Sequence, residues 1–268
     1  MRPMLQRLSG LVALAMLAVL TVLSGCATPA GSERELRTES DRSSAEKRAR
    51  VRLELASAYF ARGQANTALD EVKAALAAQP DLAEAFNLRG LIYAGMGELP
   101  LAEQSFKHAL ELKPRDGDTL HNYGWFLCQQ RRFDAADPQF AAALVAPQYA
   151  EAARTWMARG VCQARADKWA DAESSLARSF ELDPANPSTA FAYAEVLYRR
   201  GAYERARFYV RRINGQPDQS NAQTLWLAAR IERRMGNMGG VEDMARQLRE
   251  RFPDSPEAQR LQRGRFDD

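Results

Sequence analysis

The sequence predicts an all-α fold, a superhelical array (solenoid) of six helix-turn-helix units. The first observation is a period of 34 residues that begins near residue 49. The second is that alanine or glycine recurs at position 8 of all six units and at position 20 of the first five, with large apolar residues around them. The third is a proline at position 32 of three units, and of the sixth unit when one extra residue is allowed, where it stops a helix. Units of this kind cover each other's apolar faces, so they fold as one stacked array.

Residues 1–25 have the features of a removable lipoprotein signal peptide. Two arginines form a positive start, an apolar run spans residues 11–22, and "LSGC" occupies residues 23–26. The run is short for a membrane span and long enough for a signal peptide, and a transmembrane anchor with an incidental cysteine is the alternative. The motif resembles the bacterial lipobox, which implies cleavage before Cys26 and acylation of that residue. Ala27 does not resemble an inner-membrane retention signal, so we expect the periplasmic face of the outer membrane, with the lipid as anchor.

Residues 26–48 are predicted to be the lipidated cysteine followed by a flexible tether, because they are polar, charged and poor in apolar residues. The whole chain has 37 basic and 34 acidic side chains, and the leader removes two of the basic ones. The mature chain is therefore nearly neutral, and its basic residues are scattered. Nucleic-acid binding needs a clustered basic face, so we expect no nucleic-acid partner.

The repeating part of the chain resembles the tetratricopeptide repeat. The second unit shows the pattern clearly, with Gly90 and Ala102 as the small residues, Phe86 and Phe106 as large ones, and Pro114 at its end. Glu151 and Ala152 form an insertion between the third and fourth units. The predicted units are 49–82, 83–116, 117–150, 153–186, 187–220 and 221–254. Residues 255–268 are expected to form a capping helix and a polar tail.

The sequence contains no recognisable catalytic or metal-binding motif. The chain has two histidines, and it lacks the spacings of zinc sites, phosphate-binding loops and activated serine nucleophiles. A periplasmic enzyme on a helical scaffold would need a polar catalytic cluster, which this sequence does not show. We therefore predict that the protein is not an enzyme and has no cofactor, no metal site and no small-molecule substrate.

Cys128 and Cys162 lie 34 residues apart, on the first helices of the third and fourth units. Those helices are neighbours in such an array, and the predicted compartment is oxidising, so a disulfide is reasonable. Two buried free thiols are the alternative. A bridge that closes a loop of this length would stabilise the fold by roughly 3–4 kcal/mol in the chain-entropy model.

The stretch "HNYGWFLCQQ", residues 121–130, is rich in aromatic residues. Positions 2, 5, 9 and 12 of the first helices line the inner, concave surface of a tetratricopeptide array. An apolar surface with aromatic residues and flanking charges suits an extended or helical peptide. The alternative is that these side chains pack against neighbouring first helices or the tether. The predicted groove residues are Leu53, Phe60, Asn87, Leu91, His121, Trp125, Met157, Val161, Phe191 and Tyr198.

Three stretches carry a more specific resemblance. They are "NYGWFLCQQRRFDAADPQFAAAL" followed by "PQY", then "GVCQ", and "FAYAEVLYRRGAYERARFYVRR". They are similar to the type IV pilus biogenesis and stability lipoproteins, the PilF/PilW family, and the likeness extends over essentially the whole chain. It implies an outer-membrane pilotin that helps the pilus secretin reach and assemble in that membrane, or a protein that stabilises the fibre. The expected partner is the type IV pilus secretin. Another lipoprotein scaffold, for outer-membrane protein assembly or for regulating peptidoglycan enzymes, is the alternative.

Overall fold

A computed structural model describes residues 39–266, which form thirteen α-helices and no β-strand. The predicted signal peptide, Cys26 and the first part of the tether lie outside these residues. Six helix pairs follow one another along the chain, which confirms the predicted all-α solenoid of six units. The helices are Glu39–Ala61 (α1), Ala65–Ala78 (α2), Ala83–Met96 (α3), Leu99–Leu112 (α4), Gly117–Gln129 (α5), Phe133–Leu144 (α6), Ala152–Arg165 (α7), Trp169–Leu182 (α8), Pro187–Arg199 (α9), Tyr203–Asn214 (α10), Ala222–Arg234 (α11), Met238–Arg251 (α12) and Pro256–Gln262 (α13).

The first helix begins earlier than the sequence predicted. Helix α1 starts at Glu39, so the expectation of a flexible tether is wrong for residues 39–48. This stretch is rich in good helix formers, and Glu46 pairs with Arg50 one turn later at 3.2 Å. The chain divides into two compact units at this helix, one ending at Ser44 and one beginning at Ala45. All packing described below belongs to the second unit.

Glycine at position 8 sets the distance between the two helices of a unit. A Cβ atom added at Gly90 would lie 2.8 Å from the ring of Phe106, and one at Gly160 would lie 2.7 Å from Leu176. At Gly124 the same atom would lie 3.1 Å from the ring of Phe140. The large side chain of each second helix therefore occupies the space that a larger residue would need. This close packing is the physical origin of the small-residue repeat.

Each unit turns between its helices at a residue with a left-handed backbone. The turn residues are Gly63, Gly97, Arg131, Asp167, Gly201 and Gly236. Glycine adopts this conformation without a steric penalty. Arg131 and Asp167, both at φ 57°, adopt it at a cost of roughly 1–2 kcal/mol each. The third and fourth units therefore keep the turn geometry even where glycine is missing.

The C-terminal end of the array is covered by the last helix and the segment after it. Ala258 of α13 is buried, and the ring of Phe266 stacks on Trp226 of α11 with ring centroids 5.1 Å apart. Arg230 donates from Nε to the carbonyl oxygen of Phe266 at 3.0 Å. These contacts cover apolar surface that a seventh unit would otherwise cover. Within residues 39–266, no helix combines the length and apolar character that crossing a bilayer requires.

Candidate functional site

The candidate site is a surface formed by α3, α5, α7 and α9, the first helices of the second to fifth units. We call this surface the first-helix face. Leu91 of α3 and Trp125 of α5 are half-buried against the core of the second and third units. Met157 and Val161 of α7 and Phe191 of α9 are half-buried against the core of the fourth and fifth units. These side chains therefore contribute to packing and still present part of their surface to solvent.

Two predicted groove residues lie inside the array instead. His121 is 4% exposed, its Nδ1 is 2.8 Å from Thr155 Oγ1 on α7, and its ring meets Phe140 edge-on. Tyr198 is also buried, and the guanidinium of Arg230 lies over its ring at 4.6 Å. The prediction that these two residues line an open groove is wrong, because the neighbouring first helix covers each of them.

A pocket of about 330 Å³ lies between α7 and α9 on the first-helix face. Its walls combine apolar side chains with three charged residues at the rim. The lining residues are Val161, Ala164, Arg165, Trp169, Leu176, Ala192, Glu195, Val196 and Arg199. Val161 was predicted from the sequence, and positions 12 and 9 of the fourth and fifth units also give Ala164 and Glu195. Arg165, Trp169 and Arg199 were not predicted. Arginine recurs at position 13 of the fourth and fifth units, as Arg165 and Arg199, and that recurrence is a signal that could have identified them.

Arg165 joins this pocket to Trp125. Its guanidinium carbon lies 5.2 Å from the centre of the Trp125 ring, so the side chain spans from α7 to α5. Glu195 stays exposed at the mouth of the pocket, where the surrounding walls remove part of its hydration. This desolvation raises the pKa of its carboxyl above the usual value, and the nearby charges of Arg230 and Arg199 oppose the rise. The pocket therefore has an apolar interior and a rim that contains charges of both signs.

A row of polar side chains crosses the same helices nearer their starts. Asn122 donates from Nδ2 to Asn87 Oδ1 at 3.1 Å, and Arg154 donates to Asn122 Oδ1 at 3.4 Å. Asn87 was predicted as a groove residue, and the structure places it at one end of this row. Amide and guanidinium groups of this kind can exchange their mutual hydrogen bonds for bonds to a peptide backbone.

The remaining predicted residues occupy other places, so the ten do not share one continuous cavity. Phe60 is half-buried against the core of the first unit, and Leu53 lines a charged cavity of about 350 Å³ together with Glu84 and Lys113. Phe191 lines a third cavity of about 230 Å³ between the starts of α9 and α11. The central part of the first-helix face, from Trp125 to the pocket between α7 and α9, combines the predicted and the unpredicted residues.

A polar cleft of about 270 Å³ lies between α6, α7 and α8. Arg159 donates two hydrogen bonds to Asp137 at 2.8 and 2.9 Å, Gln163 donates a third at 3.0 Å, and Ser175 donates to Gln163 at 2.7 Å. The pairing with Arg159 lowers the pKa of the Asp137 carboxyl. This network holds α6 against α7 and α8. Over the residues that the structure describes, no group of three histidine, cysteine, aspartate or glutamate side chains is arranged to hold a metal ion.

The contact between α5 and α7 is fixed at both ends. Cys128 and Cys162 form a disulfide with their Cα atoms 5.8 Å apart, and both residues are buried. At the other end, Tyr149 from the loop with the two-residue insertion shares a hydrogen bond with Thr155 at 2.5 Å, and its ring lies against Gly117. This arrangement holds Trp125 on α5 next to the pocket on α7.

Models of the tetratricopeptide repeat match residues 53–117, 127–187 and 163–225, which together cover more than half of the chain. The type IV pilus assembly protein PilF of Pseudomonas aeruginosa is 28% identical over 240 residues, which are 90% of this chain and 93% of that protein. The crystal structure of PilW, described as a widely conserved type IV pilus biogenesis factor, matches with a TM-score of 0.74 at 27% identity, over 80% of this chain and 98% of PilW. The structure of P. aeruginosa PilF matches with a TM-score of 0.71 at 26% identity, over 83% of this chain and 99% of PilF. The chain therefore belongs to the tetratricopeptide repeat family and is homologous to the type IV pilus protein PilF.

Proposed function

We propose that the protein is an outer-membrane lipoprotein that acts in type IV pilus biogenesis by binding a segment of the pilus secretin through its first-helix face. In this role it acts as a pilotin, which helps the secretin reach the outer membrane and form multimers. Homology to PilF and PilW over most of the chain supports the pathway. The "LSGC" sequence at residues 23–26 supports the lipid anchor. The observation that carries the binding role is the pocket between α7 and α9 beside Trp125.

The pocket suits one apolar side chain of a peptide. Val161, Ala192 and Leu176 supply apolar walls, and a volume of about 330 Å³ is at the small end of the range for binding pockets. Arg165 and Arg199 at the rim can donate to carbonyl or carboxylate oxygens of the same peptide. The polar row from Asn87 to Arg154 can then hydrogen-bond the backbone of its continuation. Recognition of this kind combines an apolar anchor with a polar rim.

The binding role is tested by measuring secretin multimers on gels in cells that carry variants of the first-helix face. Trp125→Ala removes the aromatic anchor, and Arg199→Glu changes the rim without touching the core. Loss of a buried anchor often costs 2 kcal/mol or more, which is about thirtyfold in affinity, so we expect fewer multimers. Val145→Ser is the control, because that side chain is 76% exposed and lies outside the pocket.

Circular dichroism on the purified variants separates binding from folding. Trp125→Ala and Arg199→Glu should keep the helical signal of the parent protein. Normal multimer levels in both variants would show that the secretin binds elsewhere and would remove the first-helix face from the proposal. Loss of helicity in Trp125→Ala alone would leave Arg199→Glu as the deciding variant.

The lipid anchor is tested by intact mass measurement of the protein purified from membranes. We expect a chain that begins at an acylated Cys26, without residues 1–25. Cys26→Ala should leave the repeats folded and release the protein from the outer membrane. A chain that retains Met1, or one that is cut at another position, would contradict the lipoprotein assignment.

A further inference from the structure

Helix α10 presents a phenylalanine to solvent in the middle of a row of arginines. Phe208 is 59% exposed, although the apolar residues next to it, Tyr209 and Val210, pack into the array. Arg211 and Arg212 follow Phe208 by three and four residues, which places them beside it on the same side of the helix. We call this surface the α10 outer face, and it consists of Arg205, Phe208, Arg211 and Arg212.

The arginines of this region outnumber the carboxylates that they contact. Glu173 and Glu232 have largely buried side chains, and each accepts hydrogen bonds from two arginines. The donors are Arg200 and Arg205 for Glu173, and Arg207 and Arg211 for Glu232. Each cluster therefore keeps one positive charge in excess. Arg212 lies over the ring of Phe180 at 5.8 Å and adds a further charge, and Glu204 is the acidic residue on the same stretch of helix.

This local excess belongs to a wider asymmetry of charge along the sequence. From Arg199 to the C-terminus the chain has fifteen arginines, no lysine and ten acidic residues. Between Ala27 and Tyr198, acidic residues outnumber basic ones by four. The near-neutral total therefore conceals a basic C-terminal part. Arginine is the side chain that binds phosphate in a bidentate manner, and it is more weakly hydrated than lysine.

We propose that the α10 outer face rests on the anionic phospholipid headgroups of the membrane that holds the protein, an inference that rests on the proposed lipid anchor. Guanidinium groups bind the headgroup phosphates, and the ring of Phe208 inserts at the boundary between headgroups and acyl chains. A protein partner fits this surface less well, because the buried core of a protein interface is more apolar than its rim and is built from adjacent apolar side chains. Here a single exposed ring is surrounded by charged groups.

The test uses the mature chain from Ala27 onward, which has no acyl groups and contains every helix that the structure describes. Its binding to vesicles of neutral phosphatidylcholine is compared with binding to vesicles that contain 30% phosphatidylglycerol. One variant combines Arg205→Gln, Arg211→Gln and Arg212→Gln. It leaves Glu173 paired with Arg200 and Glu232 paired with Arg207, so the fold keeps its buried ion pairs. A second variant, Phe208→Ser, removes only the exposed ring.

The control variant has the same net charge as the triple variant. It combines Lys73→Gln, Arg246→Gln and Arg249→Gln, three exposed residues that each have one acidic partner on their own helix. We expect the parent to bind the anionic vesicles selectively and to be released by salt. The triple variant should lose about a hundredfold in affinity, roughly fivefold for each arginine, and the control should lose much less. Phe208→Ser should lose about tenfold.

Equal binding to neutral and anionic vesicles would overturn the proposal, and so would equal losses in the triple variant and the control. Binding to a polyglutamate peptide without binding to vesicles would assign the surface to an acidic protein. Release of the protein by millimolar inorganic phosphate at constant ionic strength would indicate isolated phosphate sites instead of a lipid surface. Because the chain used here is not acylated and no secretin is present, these outcomes are independent of the tests of the proposed function.

Discussion

Mild acid should destabilise the fold through His121, one of two histidines in the chain. Burial disfavours the charged imidazole, and the charge of Arg154 adds to this effect, so the pKa of His121 is lowered from 6.5 to about 4. Nδ1 of the ring is 2.8 Å from Thr155 Oγ1. Between these two pKa values the unfolded chain binds a proton that the folded chain does not. The free energy of unfolding must therefore decrease as the pH falls from 6.5 towards 4.

The size of the effect follows from the shift in pKa. One unit corresponds to about 1.4 kcal/mol, so the full shift is worth roughly 3 kcal/mol once the pH is below both values. Between pH 7 and pH 5 the expected loss is about 2 kcal/mol. Glu103 has a pKa lowered from 4.5 to about 2, so its contribution changes little in this range. The raised pKa of Glu195 acts in the opposite direction as the pH falls, so a variant that lacks the imidazole is needed to isolate the histidine.

Urea unfolding followed by circular dichroism at pH 7, 6 and 5 measures this loss. His121→Asn keeps an amide near the position of Nδ1 and removes the titratable group, so its stability should vary much less with pH. The control is His108→Asn, because His108 is half-exposed and contacts Glu111 at the surface. If His121→Asn and the parent lost stability in parallel between pH 7 and pH 5, burial of a neutral His121 would be refuted.

Three further variants probe the core, the disulfide and an ion pair. Gly124→Leu should destabilise the array by at least about 3 kcal/mol, because even its Cβ would crowd the ring of Phe140. An unchanged thermal melting temperature would contradict this close packing. Replacing Cys128 and Cys162 with alanine should lower the free energy of unfolding by roughly 3–4 kcal/mol, and equal urea midpoints with and without reductant would contradict this. The pKa of Glu103 is lowered chiefly by the hydrogen bond from Arg132, so its stabilising effect is present above pH 4.5 and is lost as the pH falls towards 2. Glu103→Gln should show a weaker pH dependence of melting there, and an unchanged dependence would argue against the pair.

The helix pairs could be predicted because the small residues that allow the two helices of a unit to pack closely recur at a fixed position in the sequence. Gly90, Gly124 and Gly160 recur at one position, and each meets a large side chain of the second helix. A repeat of this kind can be recognised in the sequence without knowing how neighbouring units pack on each other. The start of α1 could not be predicted from the same signal, since residues 39–48 are polar and lack the regularly spaced apolar residues that mark a helix in a sequence.

The candidate site was predicted only in part, because a change of one residue turns a helical side chain by about 100°. Trp125 and Val161 are half-buried on the first-helix face, whereas His121 points inward to Thr155. The two-residue insertion between the third and fourth units also changes which positions of α5 and α7 lie beside each other. Arg165 was missed because its role depends on reaching the Trp125 ring on a different helix. Contacts between units depend on their relative rotation, which a single sequence does not state.

The bridge from Cys128 to Cys162 also limits how far the chain can be stretched. The two cysteines are separated by 34 positions in the sequence, and this length of chain would extend to about 115 Å if drawn taut. A mechanical load applied between the two ends of the array could unfold the helices outside the bridge. The residues between the two cysteines could not extend while the disulfide is intact. The segment from α5 to α7 would then remain a short, inextensible section beside Trp125. Under such a load, the spacing between Trp125 and the pocket between α7 and α9 would stay fixed until the disulfide is reduced.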